Sequence, residues 1–277
     1  PPLSDAPILV VTRFAFLGAS GWKSETSKNA ELLFEPDRLR VRLELFRSIA
    51  LPSLVAQTDQ AFRHMVLTST RLPDWARSEL EAACAAAYGD PGRYDVVAER
   101  PGPARRALRL YLERAYQDPV VAQMVLDDDD GLACDFVAAV RAQLADQDAL
   151  AQPRAQNAPA FVSFADGYGI VLDLTAAGET TARLYRHRYP FINCGLTLVG
   201  RRFDKNILGI AHRKEPPKAG AISITGRRMF VRGLHGTNDS RVAPTGRWHP
   251  LDNWRDDPDI RARFAWLLDG GAFWNLG

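Results

Sequence analysis

The sequence predicts an α/β fold: a mostly parallel sheet flanked by helices, with an antiparallel-rich second half. Three observations lead there. Short apolar runs of strand length alternate with helical patterns up to Asp130; beyond Ala158 the strand-like runs are closely spaced; and 277 residues, 46% hydrophobic and 25% charged, suffice to bury a full core. No Pro/Gly/Ser-rich linker divides the chain, so a single domain over 1–277 is expected. Its halves are 7–130 and 131–277, the latter ending in a helical segment.

The elements follow in order. Pro7–Phe14 is continuously apolar before polar residues and Gly18 and Gly21, the pattern of a strand buried on both faces that enters a loop. From Asp37, a cap-type residue, Leu39, Leu43, Phe46 and Ile49 recur at three- and four-residue intervals on one helical face, with Arg38, Arg40 and Arg47 outward; Pro52 is expected to break or kink this helix. Phe62–Leu67, Asp74–Tyr88 and Tyr94–Ala98 read as strand, helix and strand. Pro103 opens a helix through Asp118, Pro119 ends it, and Val120–Leu126 is the next strand. A helix follows with Leu132, Phe136, Val140 and Leu144 inward, running out in a polar loop over Asp146–Ala158. Ala160–Phe164 and Gly169–Leu174 flank Asp166-Gly167-Tyr168, a hairpin signal, and Thr180–Tyr185 and Leu196–Val199 are further short strands.

Composition narrows the function. Thirty-five basic against thirty-three acidic residues give a net charge of +2, which offers no overall electrostatic case for a nucleic acid partner. Cys84, Cys134 and Cys194 are odd in number and far apart, lacking zinc-ligand spacing, so a reduced, cytoplasmic protein is expected. No apolar run approaches the roughly 20 residues of a membrane span, and Pro1-Pro2 opens no signal-peptide pattern.

The sharpest local feature is Asp127-Asp128-Asp129-Asp130-Gly131, set directly after a buried strand. Four crowded carboxylates repel one another, and a bound divalent cation relieves them. In an extended segment Asp127 and Asp129 would share one side, and Asp128 and Asp130 the other. The residues alone leave three readings open: a metal site, a solvated capping turn in which Asp130 caps the next helix, and an acid/base pair without metal. A hard cation held by one or two carboxylates completes its shell with water and substrate phosphates, which points to a nucleoside diphosphate.

Three blocks now combine: Thr12-Arg13-Phe14 in the first strand, Leu51-Pro52-Ser53-Leu54-Val55-Ala56-Gln57-Thr58, and Leu126–Asp130, followed later by His235-Gly236-Thr237-Asn238. The set resembles glycosyltransferases of the GT-A fold and, more narrowly, the family of putative rhamnosyltransferases. The resemblance implies a transferase that moves a sugar, rhamnose by the family's name, from a nucleoside diphosphate donor to a glycan or lipid-linked acceptor. The half 7–130 would hold the nucleotide sugar and 131–277 the acceptor. Thr12 and Arg13 would line the nucleotide pocket, Asp127 would contact the nucleoside or ribose, Asp129 would bind Mn2+ or Mg2+, and Asp128 and Asp130 would face the donor sugar. His235 would join Asp129 on the metal, favouring Mn2+, with Asn238 orienting the ring or touching the donor. A bacterial, cytoplasmic setting, compatible with peripheral contact at the inner membrane face, goes with such a role.

Read on their own residues, Thr12 and Arg13 are equally a strand end with a surface arginine, and Leu51–Thr58 is a helix end whose Gln57 and Thr58 shape a turn. For the base that takes the acceptor proton, Asp166 is preferred over Glu179 as a strand-end carboxylate, although Asp166-Gly167 is also an ordinary turn signal. His187, between Arg186 and Arg188, and His212, before Arg213 and Lys214, lie in basic stretches suited to a diphosphate, an anionic acceptor or plain solvent. His64 and His249 read as packed or surface residues. Trp248, Trp254, Trp266 and Trp274 suit a sugar platform or core packing. Two other function classes compete: a sugar nucleotidyltransferase, disfavoured because Thr12–Gly21 lacks a glycine-rich phosphate loop, and a non-catalytic carbohydrate-binding or scaffold protein.

Overall fold

The computed structural model describes residues 2–18, 26–149, 159–174, 180–201, 204–219, 221–236 and 248–269. Strands are β1 (Ile8–Arg13), β2 (Phe62–Ser69), β3 (Tyr94–Glu99), β4 (Val120–Val125), β5 (Gly131–Leu132), β6 (Ala160–Leu174), β7 (Thr180–Arg188), β8 (Thr197–Arg201), β9 (Ser223–Leu234) and β10 (His249–Pro250). Helices are α1 (Ala30–Leu33), α2 (Pro36–Leu45), α3 (Leu51–Val55), α4 (Asp74–Tyr88), α5 (Ala104–Ala115), α6 (Phe136–Ala149), α7 (Glu215–Lys218) and α8 (Pro258–Arg263).

The sheet runs β10-β7-β6-β8-β4-β1-β2-β3, with β9 beside β6 and β5 beside β9. Strands β3, β2, β1 and β4 are parallel. β8 turns antiparallel to β4, β6 to β8 and β7 to β6. This is the expected α/β architecture. β1 shows why its sequence is continuously apolar: Ile8 and Val10 join a core under α2, α4 and α6, while Leu9 and Val11 face a second core under α5.

Local chemistry sets the helix ends. Glu35 caps α2 by accepting from the N–H groups of Asp37 and Arg38, with Pro36 in the first turn. Gly89 closes α4 in the left-handed region at φ 64°, where a β-carbon would be strained. Pro52 does not break its helix. A π turn over Phe46–Ala50 joins α2 to α3 without leaving helical backbone, the widened turn accommodating a residue that has no N–H and crowds the carbonyl four positions back.

Three expectations are corrected, and one strand is added. Leu132 lies in β5, because Gly131 and Leu132 pair with Val231 and Phe230, and the helix begins only at Phe136. That helix continues through Asp146–Ala149; the rest of the expected loop falls outside the described residues. The Asp166-Gly167-Tyr168 hairpin is absent: β6 is one strand from Ala160 to Leu174, so Asp166 sits mid-strand. Gly167 serves close packing instead of turning, since a β-carbon there would lie 2.5 Å from the Phe230 ring. Finally β9, whose alternation is interrupted by register shifts opposite Phe164–Tyr168, is a strand the sequence pattern did not disclose. All three cysteines are free, and among the described residues no helix is long and apolar enough to cross a membrane.

Candidate functional site

The carboxyl ends of the central strands β1 and β4 meet the aspartate run. In their parallel register Val11 lies beside Val125, so two residues further on Arg13 arrives beside Asp127, and its Nη2 donates to Asp127 Oδ1 at 2.7 Å. Arg13 is therefore buried and ion-paired, where a surface arginine was one reading. Thr12 is turned into the core: its Oγ1 meets His64 Nε2 at 2.9 Å, and the Tyr88 hydroxyl takes the other ring nitrogen at 2.8 Å. Burial lowers the His64 pKa to about 3, so its ring is neutral.

The aspartates do not alternate sides, because they form a turn in which the Asp130 N–H bonds to the Asp127 carbonyl at 3.2 Å. Asp128, expected to face a donor sugar, is fully buried and grips Arg42, which donates from Nε at 2.9 Å and also from Nη2. Nη1 of the same guanidinium reaches Asp129 Oδ2 at 3.2 Å. Arg42 was not singled out from the sequence, although a signal existed. It lies three residues after Leu39 and four before Phe46, a cation on the apolar helix face that must find a buried anion.

β9 closes the other side. Its antiparallel register with β5 matches Gly131 to Val231, and extending it back places Asp129 opposite Gly233. Close approach requires a glycine there, since a β-carbon on Gly233 would stand 2.1 Å from the Asp129 carbonyl oxygen. Gly233 N–H donates to Asp130 Oδ1 at 3.0 Å, so this carboxylate holds β9 and caps no helix. His235, just beyond the strand, brings Nε2 to 3.0 Å from Asp129 Oδ2 with its side chain fully buried. Trp266 packs over Gly131 and donates from Nε1 to the Leu132 carbonyl at 3.0 Å.

The electrostatics divide the carboxylates. Burial opposes the charge on Asp129, yet the Arg42 guanidinium and the His235 hydrogen bond outweigh it and hold this carboxyl well below the ordinary range. Burial, then the charges of Asp129 and Asp127, push Asp130 well above its ordinary value, against weaker opposition from Arg232 and the Gly233 N–H. Burial lowers the His235 pKa more than Asp129 raises it, so the imidazole is neutral and has one nitrogen lone pair to offer.

These groups fit a divalent cation in part. Two ligand atoms 3.0 Å apart match neighbouring positions on one ion with bonds of roughly 2.1 Å. Among the described residues no cluster of three or more His, Cys, Asp or Glu side chains is placed to hold an ion, so water and substrate oxygens would complete the shell.

The remaining candidates are spread out. Asp166 accepts from Gly226 N–H at 2.7 Å and lies 3.6 Å from Arg188 Nε, in a cleft of about 470 Å3 with Arg186 and Arg228; no described contact joins it to the aspartate turn. His187 stacks on Trp248 with ring centres 4.0 Å apart, and His212 Nδ1 meets the Phe191 carbonyl at 2.7 Å. Trp248, Trp254 and Trp266 are core side chains. Asn238, Glu179 and Trp274 lie outside the described residues. The Leu51–Thr58 block fastens the chain just past the turn: Gln57 Nε2 donates to the Ser53 and Ala133 carbonyls, both at 2.8 Å, Gln57 Oε1 accepts from Val137 N–H at 3.0 Å, and Thr58 N–H reaches the Cys134 carbonyl at 2.7 Å.

No curated protein matches the chain. Among solved structures it is similar to HddC from Yersinia pseudotuberculosis at 10% identity and TM-score 0.32, covering 82% of this chain and 89% of that one. HddC complexed with GMP-PN gives 10% identity and TM-score 0.32, with 83% and 90% covered. A family model described as "Putative rhamnosyl transferase" matches residues 7–247. That span holds β1, the aspartate turn and His235 together, and the chain belongs to this family of glycosyltransferases.

Proposed function

We propose that the protein is a metal-assisted glycosyltransferase that moves a sugar, rhamnose by its family, from a nucleoside diphosphate donor to a hydroxyl of a glycan or lipid-linked acceptor. One observation carries the reading: Asp129 and His235, 106 residues apart in sequence, stand 3.0 Å apart at the carboxyl end of the central strand β4, where α/β sheets bind ligands. Asp129 and His235 would hold the ion, Mn2+ before Mg2+ because nitrogen ligation suits the transition metal. When bound, the ion neutralises charge on the departing diphosphate.

The protein's own groups prepare that step. Arg42 fixes the Asp129 carboxylate from behind and keeps it ionised; Arg13 orients Asp127 at the rim, the only aspartate of the four that is not buried and so the one open to a ribose or nucleoside. Asp128 acts on Arg42 and not on the donor, which makes it a positioning residue. In the transfer the bond from the anomeric carbon to the diphosphate oxygen breaks, a bond to the acceptor oxygen forms, and the acceptor hydroxyl gives up its proton to a base.

The test is product formation from a panel of UDP-, GDP- and dTDP-sugars with Mn2+, on wild type and Asp129→Asn. Turnover with one donor, lost in a variant whose circular dichroism is unchanged, supports the assignment. Normal turnover in Asp129→Asn, or no turnover with any donor and no nucleotide-dependent rise in melting temperature, refutes it.

A further inference from the structure

We infer that the cleft beside Asp166 is a second, separate anion site, which holds a phosphate group of the acceptor while the aspartate turn holds the donor. This rests on the transferase reading for its purpose, though not for its chemistry.

Strand geometry defines the cleft. Asp166 is paired with Arg188 and Tyr168 with Arg186, so these four side chains share one face of the antiparallel half. His249 pairs with Arg186 and adds to that face. Gly167 and Gly169 point the other way, into the Phe230 and Trp248 rings. The cleft therefore lies opposite the Phe230 and Trp248 rings, with Gly167, His187 and Gly226 also at its edge, and Arg228 over the Tyr168 ring completes its wall.

Its charges are unbalanced. Arg186 has Asp257 at 3.9 Å, but that carboxylate already caps α8 through the Asp259 and Ile260 N–H groups. Arg188 has Asp166 at 3.6 Å, whose other oxygen is taken by Gly226 N–H. Arg228 lies over the Tyr168 ring, its guanidinium carbon 5.6 Å from the ring centre, with no carboxylate partner among the described residues. Three guanidiniums therefore meet two carboxylates, both long and both engaged elsewhere. Guanidinium forks so placed are matched by a phosphate, which accepts several charge-assisted hydrogen bonds at once.

Position gives the anion its role. Arg228 pairs with Asp166 and Gly233 with Ile170. Arg228 lies five positions along β9 from the glycine that abuts Asp129, a span of about 16 Å at roughly 3.3 Å per residue. One extended acceptor can reach from the reacting hydroxyl to a phosphate in the cleft.

The experiment is calorimetric titration without metal, using inorganic phosphate, farnesyl phosphate and glucuronate on wild type, Arg186→Ser/Arg228→Ser and Asp129→Asn. Phosphate should bind wild type and Asp129→Asn alike, and the double serine variant should bind about tenfold more weakly or worse, having lost two charge-assisted contacts. Arg186→Lys/Arg228→Lys, which keeps charge, should regain part of the loss and shows that the fold survives change at these positions. Farnesyl phosphate tighter than inorganic phosphate marks a lipid-linked acceptor; equal binding marks a phosphorylated glycan. Phosphate binding that is absent, unchanged in the double serine variant, or weaker than glucuronate binding overturns the inference. Metal-dependent nucleotide binding, lost in Asp129→Asn and kept in the serine variant, reports separately on the donor site.

Discussion

Replacing Arg42 by Met isolates the ion pair beneath the aspartate turn. Methionine keeps an unbranched apolar stem of similar reach, so the variant removes charge and hydrogen bonds more than volume. Arg42 is 4% exposed and Asp128 0%, and Arg42 supplies both described hydrogen bonds to that carboxylate and one of the two side-chain contacts to Asp129 Oδ2. Removing one partner of a buried pair leaves an uncompensated charge and costs about 3–5 kcal/mol. Since Asp129 keeps His235, most of the penalty belongs to Asp128, and Asp128→Asn in the same background should return about 2 kcal/mol. At roughly 2–4 °C per kcal/mol for a chain of this size, Arg42→Met should melt about 6–20 °C below wild type. Urea unfolding followed by circular dichroism measures this directly, with the midpoint falling and the slope unchanged. A loss below about 1 kcal/mol, or a double variant no more stable than Arg42→Met, would show that the pair does not carry the turn.

Three further outcomes follow from the same geometry. Gly233→Ala should destabilise by about 1–3 kcal/mol and reduce turnover, because its β-carbon would meet the Asp129 carbonyl at 2.1 Å; a crystal structure with the turn undisplaced would contradict this. Gln57→Ala should cost about 1–3 kcal/mol in chemical denaturation, since it strands the buried Val137 N–H, while the Ala133 carbonyl keeps the Phe136 N–H. His64, with its pKa lowered by burial to about 3, binds a proton in the unfolded chain first, so its stabilising effect is complete above about pH 6.5 and is lost as pH falls toward 3, at up to about 1.4 kcal/mol per unit. His64→Gln should flatten that slope between pH 6.5 and 5, and an unchanged slope would assign the acid sensitivity to other groups.

The parallel half of the fold was legible because its inner strands β1, β2 and β4 are covered on both faces and read as apolar runs, and α4 and α5 announce themselves by period and by their flanking glycine or proline. The antiparallel half was less so. Asp166-Gly167 carries the chemistry of a turn, but the space above Gly167 belongs to Phe230, a tertiary fact invisible in a local window. β9 escaped because its register shifts change which side chains face the core, leaving only Met229-Phe230-Val231 as an apolar trace. At the site, four adjacent acids and a late His-Gly were visible. Their division of labour was not, because it depends on Arg42, Arg13 and Gly233, each brought in from a distant stretch of chain.

That distance bears on how the protein comes into being. Arg42 meets Asp128 across 86 residues, and Gly233 meets Asp130 across 103. Domains begin to organise as they leave the ribosome, and contacts so far apart form late because long loops must close first. A nascent chain that has emerged through the aspartate turn can lay down the four parallel strands and neutralise Asp128 with Arg42. It still leaves Asp130 without its backbone donor and Asp129 without its imidazole. Chains arrested before β9 would therefore lack both the Asp129–His235 pair and the strand that Asp130 holds.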